Sequence, residues 1–147
     1  MVEVNNLTTL SIDEGLIKKV IEKVLEGEKK KGEVSVAFIG PSRMRKINKR
    51  YRNKNRATDI LSFPESEIKL KGFKIGPLEK SGNLGEIIIC SREVKKNAKR
   101  YNSDFEKELT KVLIHGTLHL LGYDHERSEK DAKEMKEKQD YCLSIIA

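Results

Sequence analysis

Leu84-Gly-Glu-Ile-Ile-Ile-Cys90 is almost unbroken apolar sequence, with three isoleucines in succession. A strand with no polar face belongs at the centre of a sheet, buried on both sides, and the rest of the chain then has to cover it. Three further stretches read as strands. Val2 to Leu7 opens the chain, Val34, Val36 and Phe38 alternate with small or polar neighbours, and Thr58 to Pro64 ends on its proline. Helical spacing fills the gaps. Leu16, Ile17, Val20, Ile21, Val24 and Leu25 recur on one stripe up to Gly27, and Ser11 to Glu14 in front of them reads as a capping box. Gly40-Pro41-Ser42 introduces a short helix with Met44, Ile47 and Tyr51 turned inward. Ser91 reads as the cap of a helix through Val94, Ala98 and Tyr101. Ser103 to Glu106 is a second capping box, ahead of a helix carrying Phe105, Leu109, Val112, Leu113 and Leu120 to a stop near Gly122. Ser128 starts the last helix, with Ala132, Met135, Cys142 and Ile146 at core spacing. Residues 65 to 82 mix charges with Gly72, Gly76, Pro77 and Gly82 and read as a hairpin or loop. The sum is an α/β (α+β) fold over residues 1–147, one domain with about four strands and four or five helices.

Charge narrows the partners. The chain carries a formal net charge of +7, which favours polyanions or acidic surfaces. Eight of the fourteen residues from Arg43 to Arg56 are basic and none is acidic, a density that points to phosphate binding. A second patch, Lys95, Lys96, Lys99 and Arg100, reads equally well as a solvated helix face. Cys90 and Cys142 lie far apart without a C-x-x-C pairing and read as small buried side chains in a reducing compartment. With no leader-like start and only short apolar runs, the expectation is an intracellular chain with no membrane span. Abundant Lys and Glu beside a single glutamine, Gln139, resembles thermophile usage and bears on stability alone.

The chemistry concentrates in "HGTLHLLGYDH", residues 115 to 125, which holds every histidine in the chain. His115 and His119 stand at i and i+4, so they leave one helix face about 5–6 Å apart at Cβ and can reach one metal ion. Gly122 lets the chain reverse, and His125 follows to supply a third nitrogen. Three neutral imidazoles with an open fourth position are the ligand set of a catalytic zinc site. Asp124 reads either as an outer carboxylate fixing an imidazole tautomer or as a turn former. The spacing is the three-histidine, metzincin-like ligand frame, with Gly116 where the metalloproteases carry their glutamate base. That favours metal-assisted hydrolysis and disfavours proteolysis.

The same stretch resembles the signature of the YbeY family, the metal-dependent endoribonucleases of bacterial ribosomal RNA maturation. Upstream, "NKRYRNKNRATDILSFP" is similar to that family's N-x-x-Y-R and T-[DN]-[VI]-L-S-F-P segment. "LGEIIIC" is similar to its G-D-I-x-I strand, with Glu86 where aspartate is usual. The resemblance spans residues 48 to 125 in family order. It implies a mixed sheet flanked by helices and one Zn2+ per chain on His115, His119 and His125. It also implies a functional role for Arg52 and for His115 as the histidine essential to activity. The implied activity is a single-strand-selective cut in rRNA, toward the 3′ end of 16S rRNA, in the cytoplasm and at the ribosome or its small subunit, with no DNA and no membrane as partner. Arg52, planar and always charged, suits a clamp on two phosphate oxygens. Glu86 reads as a strand-end surface acid or a participant at the site, and Tyr51, Phe63, Phe73 and Tyr123 are candidates for stacking on bases. Two other readings stay open: an RNA-binding ribosome assembly factor whose metal is structural, and a metal-dependent hydrolase of small molecules or peptides.

Overall fold

The computed structural model describes residues 1–71 and 83–146. Four strands form one mixed sheet: β1 (Val2–Asn6), β2 (Glu33–Phe38), β3 (Ile60–Pro64) and β4 (Asn83–Ile89). Their order is β1-β2-β4-β3, with β1, β2 and β4 parallel and β3 antiparallel on the edge beside β4. The apolar run therefore lies inside the sheet. Ile87 and Ile89 join one hydrophobic cluster and Ile88 another, one on each face.

Six helices cover the sheet among the described residues: α1 (Glu14–Gly27), α2 (Pro41–Arg52), α3 (Glu65–Lys71), α4 (Ser91–Arg100), α5 (Phe105–Leu120) and α6 (Glu129–Ile146). On one face α5 lies across β3 and β4 and packs against α1, α4 and α6. Ile17, Val20, Ile21 and Val24 of α1 meet Leu113, Ile114 and Leu118 of α5 in that layer's core. On the other face Met44 of α2 and Ile68 of α3 pack with Ile88 and Phe63, and Ile47 and Tyr51 lean on them. None of the described helices is long and apolar enough to cross a membrane.

Three starts differ from the sequence reading. The N-cap of α1 is Asp13, whose carboxylate accepts from the Leu16 amide at 3.0 Å, and not Ser11. Asp104 caps α5 through the Lys107 amide at 2.8 Å in place of Ser103. In each case the aspartate inside the box is nearer the apolar stripe, and its charge gains from the helix dipole as a serine hydroxyl does not. Ile12, just before Asp13, packs in the same cluster as Ile17 five residues on, a staple that sets where α1 begins. Cys90 precedes α4, so Ser91 is that helix's first residue and is buried. Ser128 does cap α6, accepting from the Asp131 amide at 3.1 Å. The segment expected to be loop opens instead with α3 over Glu65–Lys71, while residues 72–82, including Phe73, lie outside the described residues.

One glycine closes the join between sheet and helix. Gly85 sits at φ +143 beside a register shift between β2 and β4, and a Cβ there would strike the Phe63 carbonyl oxygen and come within 2.8 Å of a Leu120 methyl. Gly85→Ala combines a left-handed backbone with a clash against main chain. It is expected to cost on the order of 3 kcal/mol, read as a lowered urea midpoint with unchanged m-value.

Candidate functional site

Local structure in and after α2 builds the first wall. Asn53 ends the helix in a left-handed conformation at φ 58, and its amide returns to the Lys49 carbonyl at 3.1 Å. The buried Asn48 then donates to the Arg56 carbonyl at 2.9 Å, folding residues 53–56 back along the helix. Arg43, Arg45, Lys46, Lys49 and Arg50 are exposed on the outer side, as the inward stripe of Met44, Ile47 and Tyr51 requires. The turn brings Lys54 and Arg56 into a groove of about 500 Å³ whose opposite side is the end of α5 and the loop after it. Arg52, His115, His119 and His125 all line this groove, so the structure collects in one place the four residues the sequence singled out.

The imidazoles are held by different means. His119 Nδ1 lies 3.0 Å from the Tyr123 carbonyl oxygen. A carbonyl only accepts, so Nδ1 carries the proton and the Nε2 lone pair is available. His115 Nδ1 meets the side-chain amide of Gln139 from α6. Ligation through Nε2 requires the amide oxygen on that side, accepting from Nδ1–H. Burial first, and then the fields of His125 and His119, push the His115 imidazole below its ordinary value, against a smaller opposing pull from Asp59. The ring is thus kept neutral, the form that binds metal. His125 comes from the loop with a side chain 48% exposed, its ring centroid 5.2 Å from that of His115. Among the described residues no three His, Cys, Asp or Glu side chains converge closely enough to hold an ion as they stand. The donor set nonetheless fits a divalent metal of zinc's type, with one ring whose tautomer is set, one whose protonation is suppressed, and the half-exposed His125 ring beside them.

Arg52 is already engaged. Its guanidinium pairs in a fork with Glu67 of α3, reaching the carboxylate through Nη1 and, at 3.2 Å, through Nη2, and also donates to the Ser62 carbonyl at 3.0 Å. Its plane lies 4.5 Å from the Phe63 ring centre. The cation is therefore oriented at the groove wall, beside an acid the sequence reading had passed over. Asp59, in the same segment, is a bracket between elements: it accepts from the Ile60 amide at 2.8 Å and from Asn97 of α4 at 3.2 Å. Asp124 behaves as the turn former, accepting from the Glu126 amide at 2.8 Å. Gly116 faces the sheet, where a Cβ would come within 2.7 Å of Ile60 Cδ1, so its smallness serves the close approach of α5. Of the stacking candidates, Phe63 is buried, Tyr51 packs edge-on against it, and Tyr123 turns its hydroxyl to Glu28, so none of these three lines the groove.

Glu86 is neither at the surface nor in the groove. It is 3% exposed, and its neighbours Gly85 and Ile87 point to the α5 side, which sends Glu86 to the other face of the sheet. Burial first, then the charges of Glu3 and Glu65, raise its pKa from 4.5 to about 7. A carboxyl whose value is higher in the folded state contributes stability that is complete below pH 4.5 and is lost as pH rises through about 7. Glu86→Gln, which cannot ionise, is expected to match the wild type in urea unfolding near pH 4.5 and to exceed it by on the order of 2 kcal/mol at pH 8. An equal difference at both pH values would remove the linkage.

Comparisons with known proteins agree on one family. The family described as Endoribonuclease YbeY matches residues 3–147. A protein of that name from Thermodesulfovibrio yellowstonii is 46% identical over 115 residues, covering 77% of this chain and 66% of its own length. One from Staphylococcus aureus is 40% identical over 144 residues, covering 88% of this chain and 89% of its own. A solution structure of a Thermotoga maritima protein is similar in fold at TM-score 0.65 and 32% identity, over 99% of this chain and 89% of that one.

Proposed function

This chain belongs to the endoribonuclease YbeY family, and on that premise we propose that it is a zinc-dependent endoribonuclease that cuts single-stranded ribosomal RNA. The observation that carries the reading is the groove, which places three imidazoles, Arg52, Lys54 and Arg56 around one space. Imidazoles with available lone pairs suit a metal ion, and cations on the facing wall suit a phosphodiester. Peptide hydrolysis of the metzincin kind has no support, since position 116 faces β3 and not the groove.

His115, His119 and His125 would hold the ion, one Zn2+ per chain. The chemistry such an ion supplies is Lewis acidity toward a phosphoryl oxygen and water whose pKa falls to about 7. The remaining work belongs to side chains. Lys54, Arg56 and the exposed cations of α2 draw the backbone in and set its direction. Arg52, braced by Glu67 and Phe63, presents an oriented positive charge to the non-bridging oxygens as negative charge builds on them. Gln139 and the Tyr123 carbonyl keep two rings facing inward.

In the cell the proposed substrate is rRNA, with maturation toward the 3′ end of 16S rRNA and ribosome quality control as its setting, and the cytoplasm and small ribosomal subunit as its place. The net charge of +7 suits that polyanionic environment. The test is elemental analysis of purified protein joined to cleavage of single-stranded and duplex fragments of 16S rRNA, before and after chelation and with zinc restored. About one zinc per chain and cleavage of the single strand that follows the metal are expected. Metal and RNA binding without turnover would replace the nuclease by an RNA-binding assembly factor.

A further inference from the structure

Past His115 the groove adjoins a second cavity of about 340 Å³, set between β3, α5 and α6. Asp59, Ile60 and His115 line both spaces, so the opening lies one side chain from the proposed centre. The two differ in character. The groove is dressed in cations, carboxylates and imidazoles, whereas the second cavity is walled by Ile60, Val112, Ile114 and Leu143. Its further polar groups are the Gln139 amide, the Asp140 carboxylate and the Lys111 ammonium. Nothing in the proposed cleavage uses Lys111, Asp140 or Leu143.

We infer that this cavity is a nucleobase subsite, taking the base of a nucleotide beside the scissile phosphate; the inference rests on the reading of the chain as an endoribonuclease. A nucleotide has one charged part and one flat, weakly polar part, and the two adjoining spaces divide along that line. A cavity of about 340 Å³ stands at the small end of the roughly 300–1,000 Å³ of small-molecule sites, the scale of a single base. The described side chains of the groove include no Phe, Tyr or Trp and its three imidazoles are assigned to the ion, so the aliphatic slot is the apolar alternative for a base. An amide that donates and accepts, a carboxylate for exocyclic amines and an ammonium for carbonyls can address a base edge. Asn97 holds α4 against Asp59 at the shared rim, which sets the exposed Lys95, Lys96, Lys99 and Arg100 on the flank where the strand would continue. Single-strand selectivity then has a cause: a base paired and stacked in a duplex cannot enter the slot without being turned out.

Oligoribonucleotides carrying one abasic residue, stepped position by position across the cut, are cleaved by the zinc-loaded protein and by Leu143→Trp, whose indole fills the slot. In the wild type one position is expected to lower kcat/KM by about 10- to 100-fold, in keeping with burial of one base against apolar side chains, with small effects elsewhere. Leu143→Trp should cut the intact RNA as slowly as the wild type cuts that abasic one, and lose nothing more when the base is missing. A 2-aminopurine at that position should change fluorescence on binding metal-free wild type and not on binding the variant. A flat abasic scan overturns the subsite even if the variant fails to fold, because the scan uses wild-type protein. Cleavage that is undisturbed in a folded Leu143→Trp does the same while leaving the nuclease reading intact. Absence of cleavage on every RNA defeats the nuclease reading, and the subsite with it.

Discussion

His119→Ala should leave a folded protein that retains almost no zinc and cuts single-stranded RNA at least about a thousandfold more slowly than the wild type. The size follows from what one substitution removes. In the proposed site His119 would supply a nitrogen on a ring whose tautomer is set by the Tyr123 carbonyl at 3.0 Å, and two imidazoles hold a divalent ion far less well than three. Losing the proposed ion would forfeit several kcal/mol of stabilisation of the developing phosphoryl charge, which is where a factor of a thousand would arise. Stability should move little, within about 1 kcal/mol, because the ring is only partly buried and packs at the rim of the core. Elemental analysis, a cleavage time course and thermal unfolding of the same preparation check all three parts. Full activity in a metal-free variant would take the chemistry away from the histidines.

Arg52 gives the second large effect, and Glu67 shapes it. Arg52→Met is expected to lower kcat/KM on single-stranded RNA by about a hundredfold or more, the usual cost of removing one preorganised donor from a developing oxyanion. Two losses combine in that figure. The cation disappears, and the Glu67 carboxylate, paired with it in a fork at present, turns its charge on the incoming phosphate. The double variant with Glu67→Met should therefore recover part of the loss, a coupling that a double-mutant cycle reads directly. Arg52→Lys should recover less than the fork would need, because an ammonium cannot span Glu67, the Ser62 carbonyl and a phosphate together. Strict additivity of the two single changes would separate Arg52 from Glu67 in function.

What the sequence discloses and what it conceals divide by range. The stripe from Leu16 to Leu25 and the apolar run at Ile87 to Ile89 are local patterns, and each became the element it suggested because burial reinforced the periodicity. The three histidines and Arg52 were legible from spacing and motif, and the groove brings them together. Contacts that depend on the packing of distant elements were not legible. Gln139 attracts attention in the sequence only as a lone glutamine, yet α6 lays it on His115, 24 positions away. Glu67 sits in a stretch whose glycines, proline and charges suggest a loop, and its helix forms where β3 ends against the sheet. Glu86 looks like a surface acid until the strand order places its residue in the middle of the sheet. The two serine boxes misled for a smaller reason: a carboxylate one or two residues on is the better partner for a helix start.

Tyr123 joins the histidine loop to the far end of α1 through Glu28, which also accepts from Lys138 of α6 at 3.1 Å. Lys138 and Gln139 are adjacent, and both belong to α6. During synthesis, then, the imidazoles leave the ribosome before the residues that brace them. The motif therefore precedes its supports in the chain, and His115 and the Tyr123 loop gain them only when α6 has docked. The histidine motif lies on one helix and its loop, but the residues that steady it come from α6, so the site is braced by a docking event and not by the folding of its own segment.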